Sequence, residues 1–288
     1  MQSFKTYHPL VNFTYFVAVI GVTMFCMHPV LLGISVVSGF AHAWVLFGKR
    51  AFRTCLYLIP LCIVAVLFNV LLNHRGETIL TYFPSGNPLT LESVLYGLAA
   101  AVMLCAVVLH FSCFTAIMTS DKLHCLTGRL FPSLSLIFSM TLRFVPHLTN
   151  RIQKVRMAQR GIGEGDGNSL RRLRQAITAL SVTLDWSLEN AVDTADSMRA
   201  RGHGLPGRTT FSLYTFDRYN RGLLFIILLL GGVVIGSGIA GKIRFFYYPA
   251  LSGNTAPLAY AAYGVLCFLP ILIEIREVFR WKYLQSKI

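Results

Sequence analysis

The chain has 288 residues, 55% of them hydrophobic and 13% charged, where soluble domains carry roughly 25% charged residues. That balance, with a mean hydropathy of +0.59, excludes an ordinary soluble domain and marks an integral membrane protein. The formal net charge of +14 does not point to nucleic acid, because the bases gather in segments that fall on one side of a bilayer and no nucleic-acid motif is present.

Residues 1–9 are polar, and the first apolar run continues into a second without a small-residue cleavage site, so no cleavable signal peptide is expected. The first run, about Leu10–Met27, is interrupted by His28-Pro29 and succeeded by a second from Val30 to Phe47, which together make a transmembrane hairpin. Gly48–Arg53 reads as a short basic loop, then comes a third span from about Leu56 to Leu72. A polar link, Asn73–Thr90, carries the turn residues Pro84, Gly86, Asn87 and Pro88. A fourth span runs from about Leu91 to Met118. The next obvious span is Leu223–Gly241, with only the short apolar stretch Ser133–Met140 before it. A sixth covers Leu258–Ile273 before a basic, aromatic end.

The expected fold is therefore an all-α integral membrane protein of about six spans, divided into 1–118 (spans one to four), 119–219 (a cytoplasmic insert) and 220–288 (spans five and six). Six spans place both termini and the insert on the same side. That side holds 23 of the 26 Lys and Arg, leaving Arg75, Lys242 and Arg244 opposite. The positive-inside rule then makes it the cytoplasmic face.

Two amphipathic helices are legible in the insert. The first carries Ile137, Thr141, Phe144/Val145, Leu148, Ile152 and Val155; the second carries Leu173, Ile177, Leu180, Leu184, Leu188, Ala191/Val192, Ala195 and Met198 at steps of three or four. GIGEGDG (161–167) separates them, and Asn168 or Ser169 is placed to cap the second. At 1.5 Å per residue each is roughly 35–50 Å long, with one apolar stripe to bury, and the economical arrangement is that they cross and pack on one another. Pro146 removes a backbone donor and crowds the carbonyl of Leu142, so a kink is expected near Arg143-Phe144-Val145-Pro146. Whether it turns the helix or only accommodates packing stays open.

Each helix ends in a near-copy of one motif: Met157-Ala158-Gln159-Arg160-Gly161 and Met198-Arg199-Ala200-Arg201-Gly202. Glycine just past a helix takes the left-handed conformation that closes the last turn. An arginine there faces the negative end of the helix dipole.

These residues carry a resemblance. The Arg-Phe-Val-Pro element, the Gln159-Arg160-Gly161 ending and the Ala200-Arg201-Gly202 ending, with His203-Gly204 and Gly207-Arg208 after it, resemble the transmembrane T component of energy-coupling-factor (ECF) transporters, the cobalt and vitamin importer family. The resemblance is strong over about 118–216; the flanking spans match in number and hydrophobicity. It implies a non-enzymatic coupling subunit without cofactor, whose partners are two ABC-type ATPase subunits, a separate substrate-binding S component and the lipid bilayer. Gln159, Arg160, Gly161, Ala200, Arg201 and Gly202 would be the ATPase-docking elements, and Arg143 with Pro146 the hinge. Gln159 stands where the family often has alanine and Arg199 where an acid is common, both leaving the arginines in place.

Other signals carry less. Asp185, Glu189, Asp193 and Asp196 form an acidic stripe that reads as solvated or ion-paired surface. GIGEGDG lacks the GxGxxG spacing and comes after a helix, which argues against a nucleotide turn, and no Walker lysine motif is present. Asp166 lies in a polar loop without an intramembrane aspartate to partner it. His42, Asn69 and His110 read as interhelical hydrogen-bonding groups, and the remaining histidines and the seven cysteines show no metal-ligand or CxxC spacing. Two rival functions are the permease of a conventional ABC importer, which would show a Glu-Ala-Ala coupling loop, and a polytopic membrane enzyme, which would need convergent ionisable groups at membrane depth.

Overall fold

A computed structural model describes residues 4–82, 88–130, 132–162, 169–206 and 214–285. The chain divides into two compact units, Met1–Leu123 with Tyr214–Ile288, and the insert His124–Leu213.

In chain order the helices are α1 (Pro9–Phe25), α2 (Pro29–Phe47), α3 (Lys49–Leu72), α4 (Leu91–Ile117), α5 (Ser120–Leu130), α6 (Pro132–Gly161), α7 (Ser169–Ala200), α8 (Arg218–Ile239) and α9 (Pro257–Gln285). The first unit is a bundle of α1 to α4 with α8 and α9. Five of these, all but α1, are long and apolar enough to cross a membrane; α1 is apolar but has 17 residues, at the short end of what a bilayer needs. The first two helices begin alike. His8 and His28 each cap a helix with Pro at N1, the ring Nδ1 accepting from the N–H of Leu10 (3.2 Å) and Val30 (3.3 Å), while proline occupies the place where a missing donor costs nothing. Two details differ from the sequence reading. Lys49–Arg53 is the opening of α3 rather than a loop, since nothing in it stops a helix, and α9 continues past Ile273 to Gln285. Two antiparallel hairpins, β1 (Ile79–Tyr82) with β2 (Pro88–Thr90) and β3 (Phe245–Phe246) with β4 (Ser252–Gly253), close the links before α4 and α9.

Within the bundle α4 packs on α1, α2 and α3, and α9 packs on α2 and α8. Helices in lipid gain little by burying apolar surface, so small residues and hydrogen bonds decide which faces meet. Here the Thr23 hydroxyl lies 2.9 Å from Ser35 Oγ and 2.8 Å from Tyr263 Oη, the Tyr15 hydroxyl donates to the Cys267 carbonyl (3.0 Å), and His110 Nε2 is 3.1 Å from the Ser35 carbonyl oxygen. Gly39 makes the α2–α4 contact possible: a Cβ there would stand 3.3 Å from both His110 Nε2 and Leu109 Cβ. The outer helix is α3, where Ala51 and Leu58 alone are buried.

The N-terminal segment is part of this core. A short 3₁₀ turn, Phe4–Thr6, buries Phe4 completely, with its ring edge-on to Tyr15 at 5.4 Å. Next to it lies Lys122, in the first turn of α5, only 5% exposed. Burial pushes its ammonium down from the ordinary 10.5 to about 8, with repulsion from Lys5 adding to the effect.

The insert consists of the end of α5 with α6 and α7, which pack on one another.

The close approach at Gly39 and the buried lysine are both open to measurement. Gly39→Leu is expected to overpack the α2–α4 contact and cost about 1–3 kcal/mol, read as a lowered Tm in detergent, whereas Gly33→Leu, with nothing within 4 Å of its Cβ, leaves Tm unchanged. For Lys122, the folded chain has released a proton that the unfolded chain still holds between about pH 8 and 10.5, so raising the pH through that window adds stability and lowering it below the window changes nothing further. The Tm of the wild type should therefore climb relative to that of Lys122→Met between pH 8 and 10.5, and keep a constant offset at lower pH.

Candidate functional site

The two helices of the insert run antiparallel, and three side-chain contacts set their register. The His147 ring stacks on Trp186 at 6.2 Å, the Arg151 guanidinium sits over the same indole at 5.1 Å, and Gln159 Nε2 donates to the Gln175 carbonyl at 3.5 Å. Residue 147 thus lies beside 186, and 159 beside 175. Trp186 is the platform: a cation and an imidazole from one helix cover one indole on the other, which pairs dispersion with the attraction of a cation for the ring face.

On α7 the side facing α6 is narrow. Ala179 and Thr183 are buried, with Gln175, Ala176, Trp186 and Asn190 half-buried around them. On α6 the facing side carries Phe144, Leu148, Ile152 and Val155. The expected packing is therefore present, but the expected face of α7 is not the one used. The leucine stripe is turned aside: Leu173, Ile177, Leu180, Leu184, Leu188 and Val192 are each more than half exposed. Small residues allow the closer approach of two backbones, and that contact outcompetes the larger side chains.

The register places the two arginine motifs at opposite ends of the pair. Arg160 stands in the last turn of α6, beside the start of α7; Arg201 stands just beyond α7, beside the start of α6. By helix rise the two lie about 40 Å apart along the axis. Both side chains are exposed, and neither makes an ion pair or side-chain hydrogen bond with a described residue. Each sits at the negative end of a long helix, where a cation is favoured. Gln159 is half-buried by its bond to α7, and Gly161 and Ala200 are exposed.

The two ends are closed differently. Gly202 has φ +78, and His203 N–H bonds to the Met198 carbonyl (3.0 Å) while Gly202 N–H bonds to the Arg199 carbonyl (3.0 Å), the paired bonds of a Schellman closure. Gly161 instead has no positive φ and is the last residue of α6 itself. The sequence reading of a left-handed glycine holds for the second motif and is corrected for the first. Ile162 still bonds back to the Ala158 carbonyl (3.2 Å), so the helical ladder runs through Gly161 without needing a special conformation there.

Arg143 and Pro146 lie mid-way along α6, both exposed, and α6 continues through Pro146 as one helix. The Thr149 hydroxyl donates to the Val145 carbonyl there (2.9 Å). Asp185, Glu189, Asp193 and Asp196 are all exposed. Asn168 and residues 163–167 of the glycine-rich break, together with Gly207 and Arg208, lie outside the described residues. Sequence reasoning missed the Trp186 platform, although the one tryptophan of α7, outside its leucine stripe, was the available signal. Among the described residues no group of three or more His, Cys, Asp or Glu is placed to hold a metal ion.

The family described as Cobalt transport protein (CbiQ) matches residues 3–211. The chain belongs to that family. Relatives agree with the resemblance carried by the two Arg-Gly endings. The "Energy-coupling factor transporter transmembrane protein EcfT" of Lactobacillus helveticus is 34% identical over 106 residues, covering 35% of this chain and 38% of the relative. The "Energy-coupling factor transporter transmembrane protein EcfT 1" of Listeria monocytogenes is 31% identical over 107 residues, covering 35% and 40%. The aligned stretch thus spans about two-fifths of these relatives' length. This member of the family is a multi-helix membrane protein.

The unlike closures predict unlike responses to the same change. Gly202→Ala forces a side chain into the left-handed region, with its Cβ 3.1 Å from Leu205 Cδ1, and is expected to cost about 1–2 kcal/mol, seen as faster amide exchange at residues 201–203. Gly161→Ala, helical and with nothing within 4 Å of its Cβ, is expected to leave exchange at the end of α6 unchanged or slower.

Proposed function

We propose that this protein is the coupling subunit of an ATP-driven ECF-type importer, non-catalytic itself, for uptake of a vitamin or metal ion. In this reading two ABC-type ATPase subunits bind the insert, and a separate S component in the same membrane binds the substrate. The observation that carries the reading is the placement of two exposed arginines, without ion pairs among the described residues, at opposite ends of one antiparallel helix pair. A dimeric motor presents two equivalent pockets, and a rigid rod with a cation at each end can engage both. Guanidinium, planar and permanently charged, suits a carboxylate-lined pocket in a way that lysine does not.

Residues 159–161 and 200–202 are the docking elements on this reading, with Arg143 and Pro146 as the hinge of α6. The positive-inside bias supports an insert, 119–219, and both termini on the cytoplasmic side, where ATP is available, with 1–118 and 220–288 as membrane segments. The spans offer no convergent acid–base pair in the sequence of the kind that a membrane enzyme requires, and no Glu-Ala-Ala loop of a conventional permease is found there.

Truncating a buried interface arginine typically costs about 2 kcal/mol, or roughly thirtyfold in affinity. Arg160→Ala and Arg201→Ala are each expected to weaken ATPase association by about that factor, and the double variant to lose co-purification with the ATPases while keeping the wild-type Tm. A double variant that still co-purifies and supports uptake would overturn the docking roles.

A further inference from the structure

The insert leaves the bundle at Leu123 and returns to it at Tyr214, and the same short piece of chain holds both roots. At the entry, Lys122 reaches back with Nζ to the Lys5 carbonyl and, with the Asn12 amide turned to satisfy its neighbours, to Asn12 Oδ1 at 3.1 Å, while Asn12 Nδ2 donates to the Phe4 carbonyl at 3.2 Å. A lysine 5% exposed and an asparagine with no exposed surface would be costly to bury without those bonds. At the exit, the His8 N–H donates to Asn220 Oδ1 (3.3 Å), and the His8 ring stands edge-on to Phe216 at 5.0 Å. Tyr7 packs beside Tyr219 at 6.3 Å, and the Tyr219 hydroxyl accepts from Arg276 of α9 at 3.0 Å.

We propose that residues 4–12 form a clasp that grips both roots of the insert and passes its movement to the membrane bundle; this rests on the coupling reading. The chain enters and leaves the insert once each, and a freely rotating joint would absorb any displacement in its own dihedrals. Here the entry joint is stiff. The Thr119 carbonyl accepts from both Lys122 N–H (3.0 Å) and Leu123 N–H (3.1 Å), and only Met118 and Thr119 separate the end of α4 from the start of α5. The clasp is itself seated in the bundle core through Phe4, which touches the rings of Tyr15 and His42. A shift of either root therefore pulls on α1 and α2 rather than on slack chain.

The charged groups around the clasp come from three elements. Lys5 repels Lys122 from the N-terminal turn, and Glu277 and Arg276 of α9 act in opposite senses on Tyr7, whose hydroxyl is raised chiefly by burial. No carboxylate neutralises Lys122 among these contacts. Its ammonium is held by carbonyl oxygens, which a longer or shorter side chain would not reach equally well.

The test uses Lys122→Met at the entry and Asn220→Ala at the exit, the latter a half-buried residue bonded to His8 and, through Nδ2, to the Thr215 carbonyl at 3.3 Å, which keeps the experiment readable if the former does not fold. Amide exchange of residues 4–12 in the full-length chain reads the clasp directly. Losing a hydrogen bond to a charged group corresponds to about tenfold or more, and Lys122→Met loses two, so exchange there should rise at least about tenfold. In the complex with ATPases and S component in liposomes, each variant should keep ATPase association and ATP hydrolysis while substrate taken up per ATP falls severalfold, and Lys122→Arg should restore part of it. Unchanged exchange at residues 4–12 in both variants overturns the clasp. Faster exchange with wild-type uptake per ATP overturns its part in transmission. If the wild-type chain binds no ATPase at all, the coupling reading fails instead, and the exchange experiment still decides whether the clasp exists.

Discussion

Everything that the insert can do depends on the way α6 lies against α7, and Trp186 fixes that. Helices of 30 and 32 residues stand well clear of marginal length, but length alone leaves their relative register free to slide by a turn. An indole covered by Arg151 on one contact and His147 on the other removes that freedom, because a one-turn slip would take both groups off the ring. With the register fixed, the arginines are fixed too, one at each end. A parallel pair would have put both cations at one end and repelled them; the antiparallel pair separates them by about 40 Å, beyond any screening length at physiological salt.

The same contact explains what the sequence could and could not say about α7. Its period of three and four identifies which residues share a face, and that much is right: Leu173, Ile177, Leu180, Leu184 and Leu188 do form one stripe. Periodicity does not say what a face touches. In a soluble domain a stripe of that size would have to be covered, so the leucines would be the contact with α6. In a chain with helices apolar enough to cross a membrane, apolar surface has more than one environment open to it, and the tight Ala179–Thr183 approach wins the helix–helix contact. No pattern in the sequence marks alanine and threonine as the better interface.

The membrane part was more legible, for a physical reason. Lipid requires the backbone to satisfy itself within each span, so a long apolar run has few options besides helix, and the runs from Val30, Leu56, Leu91, Leu223 and Leu258 all became one. Boundaries were less legible because charged residues do not stop a helix. Lys49, Arg50 and Arg53 open α3, and Arg276 and Arg280 extend α9, their long side chains able to reach the polar region while the backbone stays helical. Lys122, Asn12 and His8 could not have been singled out at all. Each is a polar residue at or near a helix start, a place where polar residues are ordinary, and their importance comes from a meeting of positions more than a hundred residues apart.

Near-identical sequence gives unlike ends in the two arginine motifs. Gly202 closes α7 in the left-handed conformation with both Schellman bonds made, while Gly161 remains inside the helical ladder. The motif residues themselves supply no reason for the difference. The residues after the second motif do, His203 and Leu205 folding back over Met198 and Gly202. What the two ends share is a guanidinium, a long helix behind it and the carbonyls of a last turn. A partner surface that recognises both ends in the same way must therefore read the cation and the direction of the helix, and leave the shape of the closing turn unread.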